Sequence, residues 1–435
     1  MPKPAVGRLS LMMFLQYAVW GAWLPLAARY LTAPVTEGGL GFTGTQMGVI
    51  LGLAGSIGAV ASPFIAGQFA DRHFSSERFL AFLLLVGGAV KWITASQTAF
   101  GPWLWLSIAY SVVYMPTLAL SNSMAFANLT DRDRQFPRVR VWGTIGWIAA
   151  SWIFPMIYLQ QNLSFQWMPP FFVGAELPNV TARLADSLRF SAIISWGYAI
   201  FCLTLPHTPP KRDAVEKLAF AKAFRLLREP SFAVLVAASL PISVIHQIYF
   251  LQTPPFLSHL GLLDSQIGPA MTIGQFSEIL IMAGLGFMLT RFGFRRVITL
   301  GALAYFVRYT IWSFPEALPV EVLVASQALH GVCYACFFAA AYIYTDRVAP
   351  ADVRHSAQTV FGILILGGGP VIGGLLSGWL QDTYAAGWGG VDYGALWRVV
   401  SLIGLAAALF FYLAFRERSE AARQPGVTPE PAATV

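Results

Sequence analysis

Charged residues are scarce in this chain. Asp, Glu, Lys and Arg make up 11% of its 435 residues, against roughly 25% in an average soluble domain, while 56% of the residues are hydrophobic. This composition excludes a soluble globular protein. About a dozen apolar runs reach the roughly 20 residues that a helix needs to cross a bilayer. The sequence therefore predicts an integral membrane protein whose surroundings are membrane lipid.

Cysteine is scarce as well, and the signatures of an enzyme are missing. Cys202, Cys333 and Cys336 all fall inside apolar runs, and no histidines or further cysteines surround the Cys-x-x-Cys pair with zinc spacing. The chain has no nucleotide-binding glycine motif and no nucleophile with its base in an exposed loop. We expect neither an enzyme nor a metal or cofactor site. The net charge of +7 is scattered over short loops, so nucleic acid is not an expected partner.

The apolar runs fall into two sets of six. The first set covers 9–32, 44–70, 78–98, 102–129, 139–160 and 186–206, and the second covers 231–258, 265–290, 295–314, 318–345, 355–381 and 395–416. The longest charged break separates the two sets. The predicted fold is all-α, with a six-helix bundle over 1–206, a linker over 207–230, a second bundle over 231–418 and a disordered tail over 419–435.

The basic residues indicate the orientation. With the amino terminus inside, 22 of the 28 Lys and Arg residues fall on the terminal side of the membrane, and cytoplasmic loops retain positive charge. The longest break on the opposite side, 161–185, has one arginine, Arg183. We therefore expect both termini in the cytoplasm. The first run contains Gln16 and several aromatic residues and is followed by many others, so we expect a retained helix rather than a cleaved signal peptide.

The loop after the second run contains a short motif, Gly67-Gln-Phe-Ala-Asp71-Arg72. Its two charges can pair across the cytoplasmic mouth in one state and separate in another, which makes Gly67, Asp71 and Arg72 a candidate gating loop. The segment 290–296 is a degraded copy at the corresponding place in the second set. Such a repeat indicates two related halves. The alternative interpretation is a plain solvated turn.

Together, the twelve runs, the basic linker and the loop motif resemble the major facilitator superfamily. Four segments are similar to the bacterial nucleoside:H+ symporter family: 14–24 (FLQYAVWGAWL), 114–118 (YMPTL), 140–147 (RVWGTIGW) and 354–358 (RHSAQ). This resemblance implies a multi-pass secondary transporter of the bacterial inner membrane that imports nucleosides by alternating access, coupled to protons. Two alternatives stay open: a carrier of another sugar-like or amphiphilic metabolite without coupling, and a transporter-like sensor.

Arg140, Thr144 and Trp147 form one candidate stripe for substrate binding. Their i, i+4, i+7 spacing places a cation, a hydroxyl and an aromatic ring on the same helix face. A charge in a membrane helix is costly and by default marks a site. The alternative is that Arg140 snorkels at the cytoplasmic end of its helix.

Gln16, Trp20 and Trp23 form a second stripe with the same spacing, and an amide beside two rings suits a polar, planar substrate. The alternative for these residues is helix packing together with an interfacial aromatic belt.

Gln275 and Glu278 lie three residues apart in the eighth run, where an amide and a carboxyl group share one face. Burial without a partner favours the protonated form of a carboxyl group, which suits a group that takes up and releases protons. An ion pair between Glu278 and Arg308 is the alternative. In the seventh run, Gln247 precedes Pro254 and Pro255, which we expect to disrupt the helix near its outer end.

The family resemblance implies that five residues hold ribose and base: Arg140, Thr144, Gln247, Gln275 and Glu278. The chain departs from the family pattern at Trp147, where relatives carry phenylalanine, and at Phe250, where an asparagine is expected. Ala335 occupies the position of an aspartate in the tenth run, which leaves proton coupling open.

His330 and Tyr334 share a face beside Ala335 and form a possible replacement polar wall. His330 and Glu278 are the candidates for proton coupling, and Tyr334 is a candidate substrate contact. A histidine that is merely hydrogen-bonded to a neighbouring helix is the alternative. Lys91 is expected to snorkel outward and is not assigned to the site.

Overall fold

The computed structural model describes residues 4–62, 65, 74–166, 172–209, 226–349, 354–385 and 390–417. The predicted gating loop of Gly67, Asp71 and Arg72 lies outside these residues, as do most of the predicted linker and the predicted tail.

The described residues form twelve helical spans. Spans 1 to 6 are Val6–Thr32, Gly44–Ser62, Ser76–Thr94, Phe100–Asn128, Gln135–Leu159 and Asp186–Cys202. Span 7 is Pro230–His259, spans 8 and 9 lie in Asp264–Trp312, and spans 10 to 12 are Val320–Val348, Val360–Thr383 and Tyr393–Ala414.

The prediction of an all-α membrane fold with twelve spans is confirmed, and the first six and last six spans form two halves. Spans 8 and 9 run into one another, because the turn between them is reduced to a kink at Gly293. This residue has a φ of 76°, in the left-handed region that glycine adopts without steric cost. Arg295, two residues later, donates to the carbonyl oxygen of Tyr412 in span 12. The kink turns the chain into span 9, and the Arg295 bond holds the start of span 9 against span 12.

A β-hairpin follows span 5, in the segment that the sequence presents only as a break. Strand β1 covers Gln160–Phe165 and pairs antiparallel with strand β2, which covers Phe172–Glu176. The side-chain Oε1 atom of Gln160 accepts a hydrogen bond from the backbone of Gly174 at 2.9 Å. The strands are short, mostly exposed and held by local bonds, so hydropathy gives little sign of them.

The expected disruption of span 7 is wrong. The helix continues from Pro230 to His259 through Pro241, Pro254 and Pro255. Pro254 and Pro255 are buried, and the ring of the next residue, Phe256, contacts Trp312 and Trp397. Packing against spans 9 and 12 thus keeps the helix intact although each proline removes a backbone hydrogen bond, as membrane helices tolerate when neighbours compensate.

The two halves are joined at one end of the bundle, which we call the outer end; it carries the β-hairpin and lies opposite the termini. Arg29 in span 1 donates through Nε to Oδ1 of Asp264 in span 8 at 2.8 Å, and Thr181 donates to the other carboxylate oxygen at 2.7 Å. Glu176 of the hairpin accepts from the backbone N–H of Ser265 at 2.7 Å. The buried Asp264 side chain is therefore held by groups from the opposite half.

A second outer-end contact joins spans 2 and 11. Asp382 accepts from the backbone N–H groups of Gly44 and Thr45 at 2.8 and 2.9 Å, which caps the amino terminus of span 2. One turn further in, the backbones of Gly48 and Gly374 touch, and a Cβ atom on either glycine would collide with the other span. These small residues let the helices approach closely.

The structure is closed at its outer end. Hydrogen bonds between described residues of the two halves lie at the outer end and near the middle of the spans. This is one of the two end states that alternating access requires.

Replacing Arg29 by Ala is expected to open the outer end. The substitution leaves Asp264, which is 4% exposed, without its cation, at a cost of about 1–3 kcal/mol to the closed state. Spin labels at exposed Val35 and Glu316, one in each half, should then show a longer inter-label distance. The three native cysteines are buried and should stay unlabelled.

The matched control is Arg189→Ala. Arg189 pairs with Asp186 within one half, so this variant should keep the wild-type distances. If Arg29→Ala also keeps them, the ion pair with Asp264 does not hold the outer end closed.

Candidate substrate site

A partly open cavity of about 440 Å³ lies between the two halves, a size typical of small-molecule sites. Eight of the nine predicted substrate contacts line it: Trp20, Arg140, Thr144, Trp147, Gln247, Gln275, Glu278 and Tyr334. They come from both halves. The sequence pattern therefore locates side chains that the fold brings together.

Arg140 faces the cavity and does not snorkel. Its guanidinium carbon lies 4.2 Å from the centre of the Tyr17 ring, and Glu278 lines the same cavity from the opposite half. Gly143, three residues further along the helix, leaves the space that Tyr17 and the Arg140 side chain occupy. Thr144 and Trp147 follow on the same face.

Gln275 and Glu278 present free hydrogen-bonding capacity to the cavity. Gln275 is buried, and its Oε1 atom has no hydrogen-bond partner. Within the described part of the chain, no side chain or backbone N–H donates to the carboxyl group of the half-buried Glu278, and the alternative ion pair with Arg308 is absent. Buried polar atoms are normally paired, so the Oε1 atom of Gln275 indicates a place for a ligand group beside Glu278.

A row of aromatic rings forms the wall of the first half. Trp147 and Trp20 meet at 5.9 Å between ring centres, Trp20 and Tyr114 at 6.2 Å, and Tyr114 stacks on Tyr110 at 5.1 Å. Phe250 reaches Trp147 from the second half at 6.2 Å. Edge-to-face and stacked geometries of this kind also suit a planar heterocycle.

Gln16 is the predicted contact that the structure places elsewhere. Its side-chain amide nitrogen donates to Oγ1 of Thr117 at 2.8 Å, and its backbone carbonyl oxygen accepts from the Tyr114 hydroxyl. The side chain is fully buried and does not line the cavity. The prediction is corrected: Gln16 joins spans 1 and 4, because successive helix positions are about 100° apart and the next residue, Tyr17, faces the cavity instead.

Gln247 reaches across the cavity. Its amide nitrogen donates to the carbonyl oxygen of Leu51 at 3.3 Å, so it connects span 7 with span 2. A ligand that takes this amide would compete with a contact between the halves.

His330 and Tyr334 both line the cavity, but His330 is committed to a bond of its own. Nη1 of Arg308 donates to Nδ1 of His330 at 3.0 Å, because a guanidinium has no acceptor atom. A second proton on His330 would break this bond and place two cations together. His330 is therefore the weaker candidate for proton coupling. Ala335 is fully buried and does not line the cavity.

Arg308 lies behind this wall in an aromatic cage. Its Cζ atom is 4.3 Å from the Tyr249 ring centre and 4.7 Å from that of Tyr309, and Nη2 donates to the Tyr309 hydroxyl at 2.8 Å. The side chain is fully buried. Cation–π contacts and two hydrogen bonds give this cation a structural role.

The sequence prediction missed several cavity residues, among them Tyr17, Tyr110, His246 and Lys91. The expectation for Lys91 is wrong, since its side chain is 3% exposed and turned inward. An apolar helix with polar residues on several faces does not show which face meets the partner half. For Lys91, the charge itself could have indicated a cavity position, because a charged side chain inside a membrane span is costly and usually faces the interior of the bundle.

A model of the nucleoside H+ symporter family matches residues 5–420 of the chain. The chain belongs to the nucleoside H+ symporter family. Over 421 residues it is 32% identical to the putative nucleoside transporter YegT of Escherichia coli K12, covering 94% of this chain and 93% of the relative. It is 27% identical to the nucleoside permease NupG of Escherichia coli K12 over 94% of this chain and 95% of that protein. This symporter is thus a transporter and not an enzyme.

Solved structures agree with the family assignment. The crystal structure of the nucleoside transporter NupG superposes with a TM-score of 0.80 at 25% identity, covering 95% of this chain and all of that one. The D-xylose-proton symporter superposes with a TM-score of 0.70 at 14% identity over 95% of this chain and 98% of that one, which shows the fold alone. The predicted major facilitator fold of this symporter is confirmed.

Replacing Arg308 by Ala is expected to destabilise the protein. His330 would lose the donor to Nδ1, and an unpaired buried polar group costs roughly 1–3 kcal/mol, in addition to the cavity left behind. The melting temperature of the purified protein in detergent should fall by several degrees. Arg398→Ala removes an exposed arginine and should melt as the wild type does. Equal melting of both variants would show that the cage is not stabilising.

Proposed function

We propose that this symporter imports nucleosides across the bacterial inner membrane by alternating access, with protons as the coupling ion. The observation that supports this most directly is the unpaired Oε1 atom of the buried Gln275 beside the unbonded carboxyl group of Glu278, opposite a row of aromatic rings. Ribose hydroxyls need such acceptors when they leave water, and the flat base needs the rings.

The roles follow from the positions. Trp20 and Trp147 stack the base from the first half, while Gln275, Glu278 and Gln247 take polar groups of the substrate from the second half. Arg140 and Thr144 complete the site from span 5, and Tyr334 closes the wall of span 10. The substrate thus contacts both halves, as a cargo must if its binding is to favour their movement.

Glu278 is the group that we assign to proton coupling. It faces the cavity, and its interaction with Arg140 across the halves changes whenever the halves move. A proton on Glu278 removes that attraction, so the protonated and deprotonated forms favour different arrangements. This assignment supports coupling although Ala335 replaces the aspartate expected in span 10.

The positive-inside distribution supports an orientation with both termini in the cytoplasm. The outer end then faces the periplasm, and the structure corresponds to a state that is closed to the periplasm.

Uptake of radiolabelled uridine tests the proposal. In proteoliposomes with an acidic exterior, Glu278→Gln is expected to lower uptake at least as severely as Arg140→Ala, by about tenfold or more, which corresponds to about 1.4 kcal/mol. Each substitution removes one partner of the charge interaction that spans the cavity.

The matched controls are Glu321→Gln and Arg398→Gln, which change exposed residues of the same types and should transport normally. Wild-type uptake by both cavity variants would remove Glu278 and Arg140 from the site. Uptake at the same rate with and without the pH gradient would instead support an uncoupled carrier.

A further inference from the structure

Lys91 occupies an unusual position in span 3. Its Nζ atom lies 3.1 Å from the centre of the Trp23 ring and 4.0 Å from the centre of the Tyr110 ring. The side chain is 3% exposed, and it lines the same cavity as Arg140 and Glu278. The two rings hold the ammonium group against the cavity instead of letting it extend toward the membrane surface.

Lys91 has no compensating charge within the described part of the chain. No carboxylate pairs with it, and no side chain or carbonyl accepts a hydrogen bond from its Nζ atom. The polar atoms of its cage, Nε1 of Trp23 and the Tyr110 hydroxyl, interact with one another and have no other partner among the described residues. Cation–π attraction offsets only part of the cost of taking an ammonium group out of water. The ammonium group of Lys91 is thus left without an acceptor, which a ligand can supply.

Arg308 is also a buried cation, but its contacts differ from those of Lys91 and are those of a structural residue. Arg308 is enclosed by four rings and donates to His330 and Tyr309, and it does not line the cavity. Lys91 lines the cavity, and none of its three donors has an acceptor among the described residues. A purely structural lysine would be expected to have such acceptors.

The charges on the cavity wall point to the sign of the ligand. The lining includes two basic side chains, Lys91 and Arg140, and one carboxyl group, that of Glu278. The two cations on this wall outnumber its single carboxyl group, so one positive charge is unbalanced. A low-dielectric cavity with one net positive charge favours a ligand with one negative charge.

We infer that Lys91, Trp23 and Tyr110 form an anion subsite, and that the cargo of this transporter includes nucleoside monoanions. The inference rests on the proposed function and adds a substrate class to it. The negative charge can come from a base that has lost a proton or from a carboxylate on the sugar. The aromatic row from Trp147 to Tyr110 connects this subsite with the site around Glu278.

Binding of matched nucleosides to the purified, full-length protein in nanodiscs tests the inference. The neutral probes are inosine and uridine. The anionic probes are xanthosine at pH 7.5, which carries the charge on its base, and uridine-5′-carboxylate, which carries it on the sugar. The wild type should bind at least one anion about tenfold more tightly than its neutral parent, and which of the two is preferred identifies the source of the charge.

Lys91→Met keeps the length of the side chain and removes its charge. This variant should lose the preference for the anion, about tenfold, while its affinity for inosine and uridine changes less than twofold. Lys91→Arg should restore the preference. Melting temperatures of both variants show whether they are folded, and the Arg variant keeps the test decisive if the Met variant does not fold.

Three results would overturn the inference. Equal losses for neutral and anionic nucleosides in Lys91→Met would make Lys91 a positioning residue for Trp23 and Tyr110. Unchanged binding of all probes would leave Lys91 without a ligand. Chloride-dependent binding of uridine that disappears in Lys91→Met would assign the subsite to an inorganic anion. If the wild type binds no nucleoside of either charge, the proposed function itself fails.

Discussion

The structure depends on one constraint: a polar group inside a membrane-embedded bundle must find its partner within the protein or in what the protein carries. The described residues show both solutions. Arg308 is largely satisfied internally, because both of its Nη atoms donate, one to His330 and one to Tyr309, within a cage of rings. Gln275 and Lys91 are not, and both face the cavity between the halves. Unsatisfied groups in such a place cost stability, and a substrate that satisfies them recovers that free energy on binding.

The same constraint explains how the halves are joined. At the outer end, the buried Asp264 takes its cation and its hydroxyl donor from the opposite half, so separation exposes a carboxylate that must then be hydrated. In the middle, the side-chain amide of Gln247 donates to the carbonyl oxygen of Leu51, at the cavity where we propose that substrate binds. Cargo and closure thus compete for some of the same hydrogen-bonding groups, which is a physical route from binding to movement.

The sequence predicted the fold and most of the cavity because helical periodicity determines which residues share a face. Arg140, Thr144 and Trp147 were found in this way, and so were Gln275 and Glu278. Periodicity does not show which face meets a neighbouring helix. Gln16 and Tyr17 are adjacent, yet only Tyr17 lines the cavity. Lys91 was placed at the membrane surface because the rings that hold it inward come from two other spans.

The remaining differences arise from tertiary contacts that local rules omit. Span 7 stays helical through Pro254 and Pro255 because spans 9 and 12 pack around it. The hairpin after span 5 consists of short, exposed strands that no hydropathy pattern marks.

That hairpin rests on both halves at once. It continues from span 5 of the first half, and its Glu176 holds the backbone of Ser265 at the start of span 8. Phe172 packs against Trp152 in the first half. An antibody fragment that recognises the hairpin together with the adjacent turn of span 8 would therefore bind one conformer alone, and would serve as a reagent for trapping the protein in that conformer.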